Sequence, residues 1–333
     1  MTTPTYDDVL AAAERLNGFA IRTPLLYSPA LSERFDARIY LKSENLQRTG
    51  SFKFRGAFNA LSQIPEIDRT RGVLAISSGN HGQGVAEAAR LLGIQATIIM
   101  PADAPEVKIT RTRDSGAELI FYDRAGEDRD EIANTQLQQS GAVLIHPFNN
   151  ADVIAGQGTV GLEVADELSA RGEVPDMLLA CTGGGGLTAG LALACSQRYP
   201  DLQMFSVEPD GFDDYRRSLL SGVIVGNDVT TGSICDAILT PAPGEIGFSI
   251  NKDRLRGGLS VSDLDALRAI RFAFEKHRML AEPGGAVALA AILSGRLETQ
   301  VGSLSGKTIV ATVSGGNVDQ SVLLQALQTA YDL

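Results

Sequence analysis

The 333-residue chain has no tryptophan, three cysteines and three histidines. Cys181, Cys195 and Cys235 are too few for a disulfide framework, and an odd count points to a reducing compartment, most simply the cytoplasm. His81, His146 and His277 lie far apart and make no zinc pattern. No apolar run reaches the roughly 18 residues that a membrane span needs. The N-terminus, MTTPTYDDVLAAAERL, is acidic and reads as a capped helix, not a signal peptide. Positive charge is also in deficit: 29 Lys and Arg face 40 Asp and Glu, a net charge of −11. Nucleic acid and anionic membrane are therefore excluded as main partners, since both need a basic surface.

What remains is a soluble globule, 44% hydrophobic and 21% charged, of a length that suits two lobes. From residue 73 onward the pattern alternates. Strands are expected at 73–77, 96–100, 118–122 and 143–146, with helices at 85–92, 106–115 and 128–139 between them. Such a series folds as a small parallel sheet with helices on both faces. A second series follows: helix 160–170, strand 177–181, helix 187–197, strand 203–207, helices 262–277 and 285–293, strand 308–313 and helix 320–330. The expected class is α/β, with parallel-rich sheets. The expected lobes are residues 70–148 (small) and residues 1–65 plus 150–333 (large). Ligands of such sheets sit beyond the C-terminal strand ends, which singles out the loops 77–84, 181–186, 208–214 and 314–317.

Four of the 35 glycines, Gly183, Gly184, Gly185 and Gly186, stand in a row between a strand and the helix that Leu187 opens. Bare backbone N–H groups at a helix N-terminus make a phosphate cradle without basic side chains. A flexible turn would need only one or two glycines. No Lys-Ser/Thr follows, so this is not a nucleoside triphosphate loop. Gly156-Gln157-Gly158-Thr159-Val160-Gly161 matches G-x-G-x-x-G, but it follows no clear strand, and packing glycines at a helix start suit it better. Lys53 falls in the first turn of a helix that Ser51 would cap, with Phe54, Phe58 and Leu61 on one apolar face. A helix N-terminus disfavours a cation, so Lys53 should titrate low and serve as a Schiff-base amine. The alternative is a solvated surface lysine, although Phe52 and Phe54 flank it.

Together, Ser51-Phe52-Lys53-Phe54-Arg55-Gly56, the segment from Ser77 to Gly82, Gly183 to Gly186, Glu208-Pro209, Glu282-Pro283 and Ser314-Gly315-Gly316-Asn317 resemble the fold type II enzymes that use pyridoxal 5′-phosphate, most of all the serine/threonine dehydratase and serine racemase branch. The motifs occur in the family's order over nearly the whole chain. The resemblance implies a two-lobed fold and a homodimer. It implies that Lys53 forms the Schiff base, Phe52 packs on the ring and Asn80 bonds the cofactor's 3-oxygen. Gly183 to Leu187 would hold the phosphate, and Ser314 would meet the pyridine nitrogen. Ser78 matches either a second acid–base group or, with Ser77, a contact to the substrate carboxylate. His81, Arg129 and Thr240 fall where relatives approach the substrate, although Arg129 equally suits an exposed helix. Glu208 and Asp214, with the carbonyl of Phe212, match a site for Mg²⁺, Ca²⁺ or Mn²⁺, or are two solvated carboxylates. Asn149-Asn150-Ala151 replaces a common Asp-Asp-Pro. The loss of two negative charges would suit a substrate with an extra carboxylate if these side chains face the pocket, and would otherwise be drift in a turn.

The implied activity is that of an ammonia-lyase removing water and ammonia from a small β-hydroxy amino acid. A 3-hydroxyaspartate dehydratase and a serine racemase with side dehydratase activity are the alternatives within the family. A cofactor-binding sensor without turnover and a nicotinamide-dependent dehydrogenase are the alternatives outside it.

Overall fold

The computed structural model describes residues 2–331 except Ser78, Pro105, Arg124 and Thr230. The described residues hold the strands β1 (Leu25–Tyr27), β2 (Arg38–Ser43), β3 (Val73–Ile76), β4 (Ala96–Pro101), β5 (Glu118–Tyr122), β6 (Val143–Leu144), β7 (Met177–Cys181), β8 (Gln203–Pro209), β9 (Leu255–Val261) and β10 (Thr308–Val313). They form two sheets. One has six strands in the order β1-β2-β10-β7-β8-β9, parallel except for β1 against β2; the other is β5-β4-β3-β6, all parallel.

Helices cover both faces of the larger sheet, which is why its central strands β10 and β7 are buried throughout. On β10 the side chains alternate between two cores. Ile309, Ala311 and Val313 join the core built on the Asp263–His277 and Pro283–Leu293 helices. Val310 joins the core of the Ala151–Ala170 and Gly186–Arg198 helices.

Glycine sets how closely those helices approach. A Cβ on Gly190 would fall 2.5 Å from the amide nitrogen of Gly158, and one on Gly156 would fall 2.6 Å from the carbonyl oxygen of Arg55. The G-x-G-x-x-G match is thus a packing seam, as expected. It lies in mid-helix rather than at the start, because the helix begins at Ala151 with Asn150 as its N-cap. The Lys53–Ser62 helix is pinned by a buried ion network. Arg55, 1% exposed, donates to Glu44 at 2.8 Å and to Glu163 at 2.7 Å, and Lys42 donates to Glu163 at 2.7 Å. Removing one member would strand a buried charge, at a cost of about 3–5 kcal/mol.

Several boundaries differ from expectation. Ser51 does not cap the Lys53 helix; Phe52 occupies the cap position, and Ser51 instead bridges to Gly315. Strand β6 stops at Leu144, since the His146 ring turns back to accept the N–H groups of Phe148 and Asn149. The helix expected at 85–92 begins at Asn80. Strands β1, β2 and β9 have no counterpart among the expected elements.

Candidate active site

A cavity of about 240 Å³ lies where the strand ends of the two sheets face each other, and three of the four singled-out loops line it. Lys53 reaches it from the first turn of its helix. The chain leading there is held in place: the N–H of Phe52 donates to the carbonyl of Ser314 at 3.1 Å, and Ser51 pairs with Gly315. The Lys53 Nζ donates to the carbonyl of Pro147 at 3.0 Å and sits 5.2 Å from the centre of the Phe52 ring. Burial lowers its pKa to about 8, against an opposing pull from Glu282. An appreciable fraction of the amine is therefore neutral near physiological pH.

Gly183, Gly184, Gly185, Gly186 and Leu187 form one wall. Among the described residues, none of their N–H groups donates a hydrogen bond to the protein. Two glycines here have physical necessity. Gly185 has φ +87° and lies on the Tyr215 ring, and Gly184 lies on the Phe148 ring, so that a Cβ at either would collide with an aromatic side chain. Tyr215 is itself fixed, its hydroxyl accepting from Asn251 at 2.7 Å.

Opposite the glycine wall, Ser77, Gly79, Asn80 and His81 follow β3. Ser78 lies outside the described residues. Asn80 donates to Glu282 Oε1 at 2.5 Å and accepts from Asn317 at 2.7 Å. His81 is buried, and its Nε2 meets the carbonyl of Ile145 at 2.8 Å. Because a carbonyl only accepts, Nε2 carries the proton and Nδ1 is a free acceptor; Nδ1 has no partner among the described residues. Burial and the neighbouring Lys53 lower the His81 pKa to about 3, so it is neutral in the working range.

Ser314, Thr240 and Arg129 line the same cavity. Thr240 Oγ1 is buried without a partner there, whereas Arg129 is exposed at the start of its helix. The Asn149 and Asn150 side chains are engaged elsewhere, accepting the N–H groups of Ile246 and Val153, so their lost charges leave no vacancy in the cavity. Sequence reasoning missed Pro147, Phe148, Asp236 and Ile238 as lining residues. The glycine row carried a signal for Phe148, since so many adjacent glycines imply a bulky neighbour as well as an open backbone.

Glu208 and Asp214 lie outside the cavity but behind its glycine wall. Glu208 accepts the N–H groups of Tyr215 and Arg216 at 2.7 and 2.8 Å. Asp214 accepts from Asn227 at 2.7 Å, and its other oxygen is buried without a partner. Burial raises both pKa values, that of Asp214 to about 6, and the negative charge of Asp214 raises Glu208 further. Phe212 is buried between them in sequence. These are not two solvated carboxylates. A buried acidic pair with an orphan oxygen suits a cation, although among the described residues no group of three His, Cys, Asp or Glu gathers there.

The family described as pyridoxal-phosphate dependent enzyme matches residues 16–315. The chain belongs to that family. It is 45% identical to an L-threo-3-hydroxyaspartate ammonia-lyase of Pseudomonas sp., over 96% of this chain and 97% of that protein. It is 41% identical to the serine racemase of Schizosaccharomyces pombe, over 95% of each. Among solved structures, a T.th. threonine deaminase superposes with a TM-score of 0.87 at 40% identity, covering 95% of this chain and 99% of that one. The fold is that of fold type II members of this family. The site fits the family's cofactor: the bare amides of the glycine wall suit its phosphate, and Lys53 stands in the same cavity with its pKa lowered. No described helix is long and apolar enough to cross a membrane.

Proposed function

We propose that this chain is a pyridoxal 5′-phosphate-dependent ammonia-lyase that converts a small β-hydroxy amino acid to one 2-oxo acid and one ammonia. The observation that carries the proposal is Lys53, an amine with its pKa lowered to about 8, facing a wall of unpaired backbone amides across one cavity. The relative named L-threo-3-hydroxyaspartate ammonia-lyase supports the reaction class.

When bound, the cofactor supplies the electron sink that makes the substrate's Cα proton acidic. Neutral Lys53 takes that proton, a role that protonated lysine could not fill. Gly183, Gly184, Gly185, Gly186 and Leu187 hold the phosphate with N–H groups and a helix N-terminus. Phe52 would pack on the ring, Asn80 would donate to the ring oxygen, and the neutral Ser314 hydroxyl would meet the ring nitrogen without protonating it. Ser77 and Ser78 hold the substrate carboxylate. His81, neutral far below pH 7, orients the substrate hydroxyl as an acceptor and is not its acid. Thr240 meets the substrate from the opposite side. Arg129 at the mouth pairs with a second carboxylate, which ranks 3-hydroxyaspartate above serine and threonine.

Glu208, Asp214 and the Phe212 carbonyl would hold Mg²⁺, Ca²⁺ or Mn²⁺, and an ion there would steady Tyr215 and hence the glycine wall. Residues 70–148 form the small lobe, and residues 1–65 with 150–333 the large one. The chain works as a cytoplasmic homodimer. Assay of ammonia and 2-oxo acid over serine, threonine and 3-hydroxyaspartate stereoisomers tests the proposal. Stoichiometric release from at least one supports it, and accumulation of the opposite enantiomer without 2-oxo acid would make the chain a racemase instead.

A further inference from the structure

We propose that Arg111 and Asn317 are positioning residues that tie the helix Glu106–Asp114 to the loop after β10 and fix the amide of Asn80 for cofactor binding. This inference rests on the cofactor assignment above. Arg111 is exposed on that helix and donates to Asn317 Oδ1 at 2.9 Å, across a sequence gap of 206 residues. Asn317 Nδ2 donates to the carbonyl of Thr49 at 2.8 Å and to Asn80 Oδ1 at 2.7 Å. Asn80 Nδ2 then donates to Glu282 Oε1 at 2.5 Å. One hydrogen-bonded line thus runs from a guanidinium, through two amides, to a carboxylate that acts electrostatically on Lys53.

The direction of the line is determined by its ends. Arginine has no acceptor, so Asn317 must turn its oxygen outward. An ionised carboxylate has no donor, so Asn80 must turn its nitrogen toward Glu282. The two amides between them have no freedom to flip without facing donor to donor or acceptor to acceptor. All the bonds point one way, so each polarises the next. Only the Asn80 nitrogen has a hydrogen left over for a ligand oxygen in the cavity, and that hydrogen is available in this orientation alone.

Asn317 is also the hub of three segments. Besides the Arg111 and Asn80 bonds, it ties down Thr49, a non-glycine residue in the left-handed region at φ 60°. The N–H of Gly316 donates to the carbonyl of Gly50 at 2.9 Å, and the Ser51–Gly315 bridge follows. The strained approach to Lys53 is therefore fastened to the same loop that Arg111 grips from the other sheet's helix. The position of that helix and the presentation of Asn80 are thereby coupled through Asn317.

The test compares wild type with R111M, R111K and N317D, loading the apo form with pyridoxal 5′-phosphate and reading affinity by absorbance. The pH midpoint of Lys53 reactivity is a second readout. Arg111 is exposed, so R111M should fold as wild type does. It should weaken affinity about tenfold, the loss of one charge-assisted hydrogen bond. R111K, which still donates, should stay within about twofold of wild type. N317D keeps the Arg111 contact but cannot donate to Asn80, and it should be at least as weak as R111M. In R111M and N317D the Lys53 midpoint should also move, because the Asn80 amide that donates to Glu282 is no longer held in place. Wild-type affinity and midpoint in R111M would overturn the proposal, as would a loss that R111K fails to restore. A wild-type chain that takes up no pyridoxal 5′-phosphate would instead overturn the cofactor assignment.

Discussion

Gly185 offers the sharpest probe of the glycine wall, because two separate costs meet there. Its φ of +87° is one that an L-residue adopts at about 1–2 kcal/mol. Its missing Cβ would also run into Tyr215, which is fully buried and held by Asn251, so the ring has nowhere to go. Overpacking of this kind costs about 1–3 kcal/mol. Gly185→Ala should thus lose roughly 2–5 kcal/mol, less than the whole of a typical folding free energy of about 5–15 kcal/mol. Gly184→Ala is the matched control. It meets the Phe148 ring but has no positive φ, so it should lose about 1–2 kcal/mol less. Gly185→Asp aims its side chain at the same buried Tyr215 ring, so it should cost at least as much stability as Gly185→Ala and, by displacing the glycine wall, weaken cofactor affinity about tenfold or more. Urea denaturation of the apo form and absorbance titration with pyridoxal 5′-phosphate read the two effects separately. Gly185→Asp with wild-type affinity would show that the phosphate lies elsewhere.

Lys53 reactivity in the apo protein should rise with pH about a midpoint near 8, because burial favours the neutral amine. Glu282→Gln removes the opposing negative charge and should move that midpoint lower, as acylation rate against pH will show; a midpoint near the ordinary lysine value of about 10.4 would refute the burial argument. Chelation should lower the melting temperature and the rate, and added Mg²⁺, Mn²⁺ or Ca²⁺ should restore both, the stability rising with the logarithm of ion concentration once the site is filled. If chelator has no effect and Asp214→Ala behaves as wild type, no cation binds there. Asn150→Ala should cost about 1 kcal/mol as a lost N-cap, with the KM for substrate unchanged, whereas Asn150→Asp should be neutral in stability. A large KM change in either would return that side chain to the pocket.

Much of this arrangement is readable in residue order, and the parts that are not have physical reasons. The apolar runs of β3, β7 and β10 are buried on both faces, which makes them visible without a partner. Strands β1 and β2 are not visible: RIYLKS ends in a lysine and a serine, and the lysine is buried only because Glu163 and Glu167 reach it from a distant helix. Strand β9, LRGGLSV, carries two adjacent glycines, of which Gly258 makes room for Arg216 and Ser206, so its pattern reads as a loop. Lys53 and the glycine row announce themselves by local chemistry. Ser51 does not behave as a cap because its backbone is drawn into pairing with Gly315, a contact across more than 260 residues. For the same reason the link from Arg111 to Asn80 has no local signature; each of its bonds joins segments that only the fold brings together.

The central claim is that Lys53 performs proton abstraction from a β-hydroxy amino acid in a cofactor-loaded cavity. The most direct measurement is the release of ammonia and 2-oxo acid from 3-hydroxyaspartate by the loaded wild-type enzyme and by Lys53→Ala at matched cofactor content. Equal amounts of the two products from wild type are predicted, with a loss of several orders of magnitude in Lys53→Ala, as for the removal of a catalytic base and nucleophile. Turnover in Lys53→Ala above about one per cent of wild type would contradict the account.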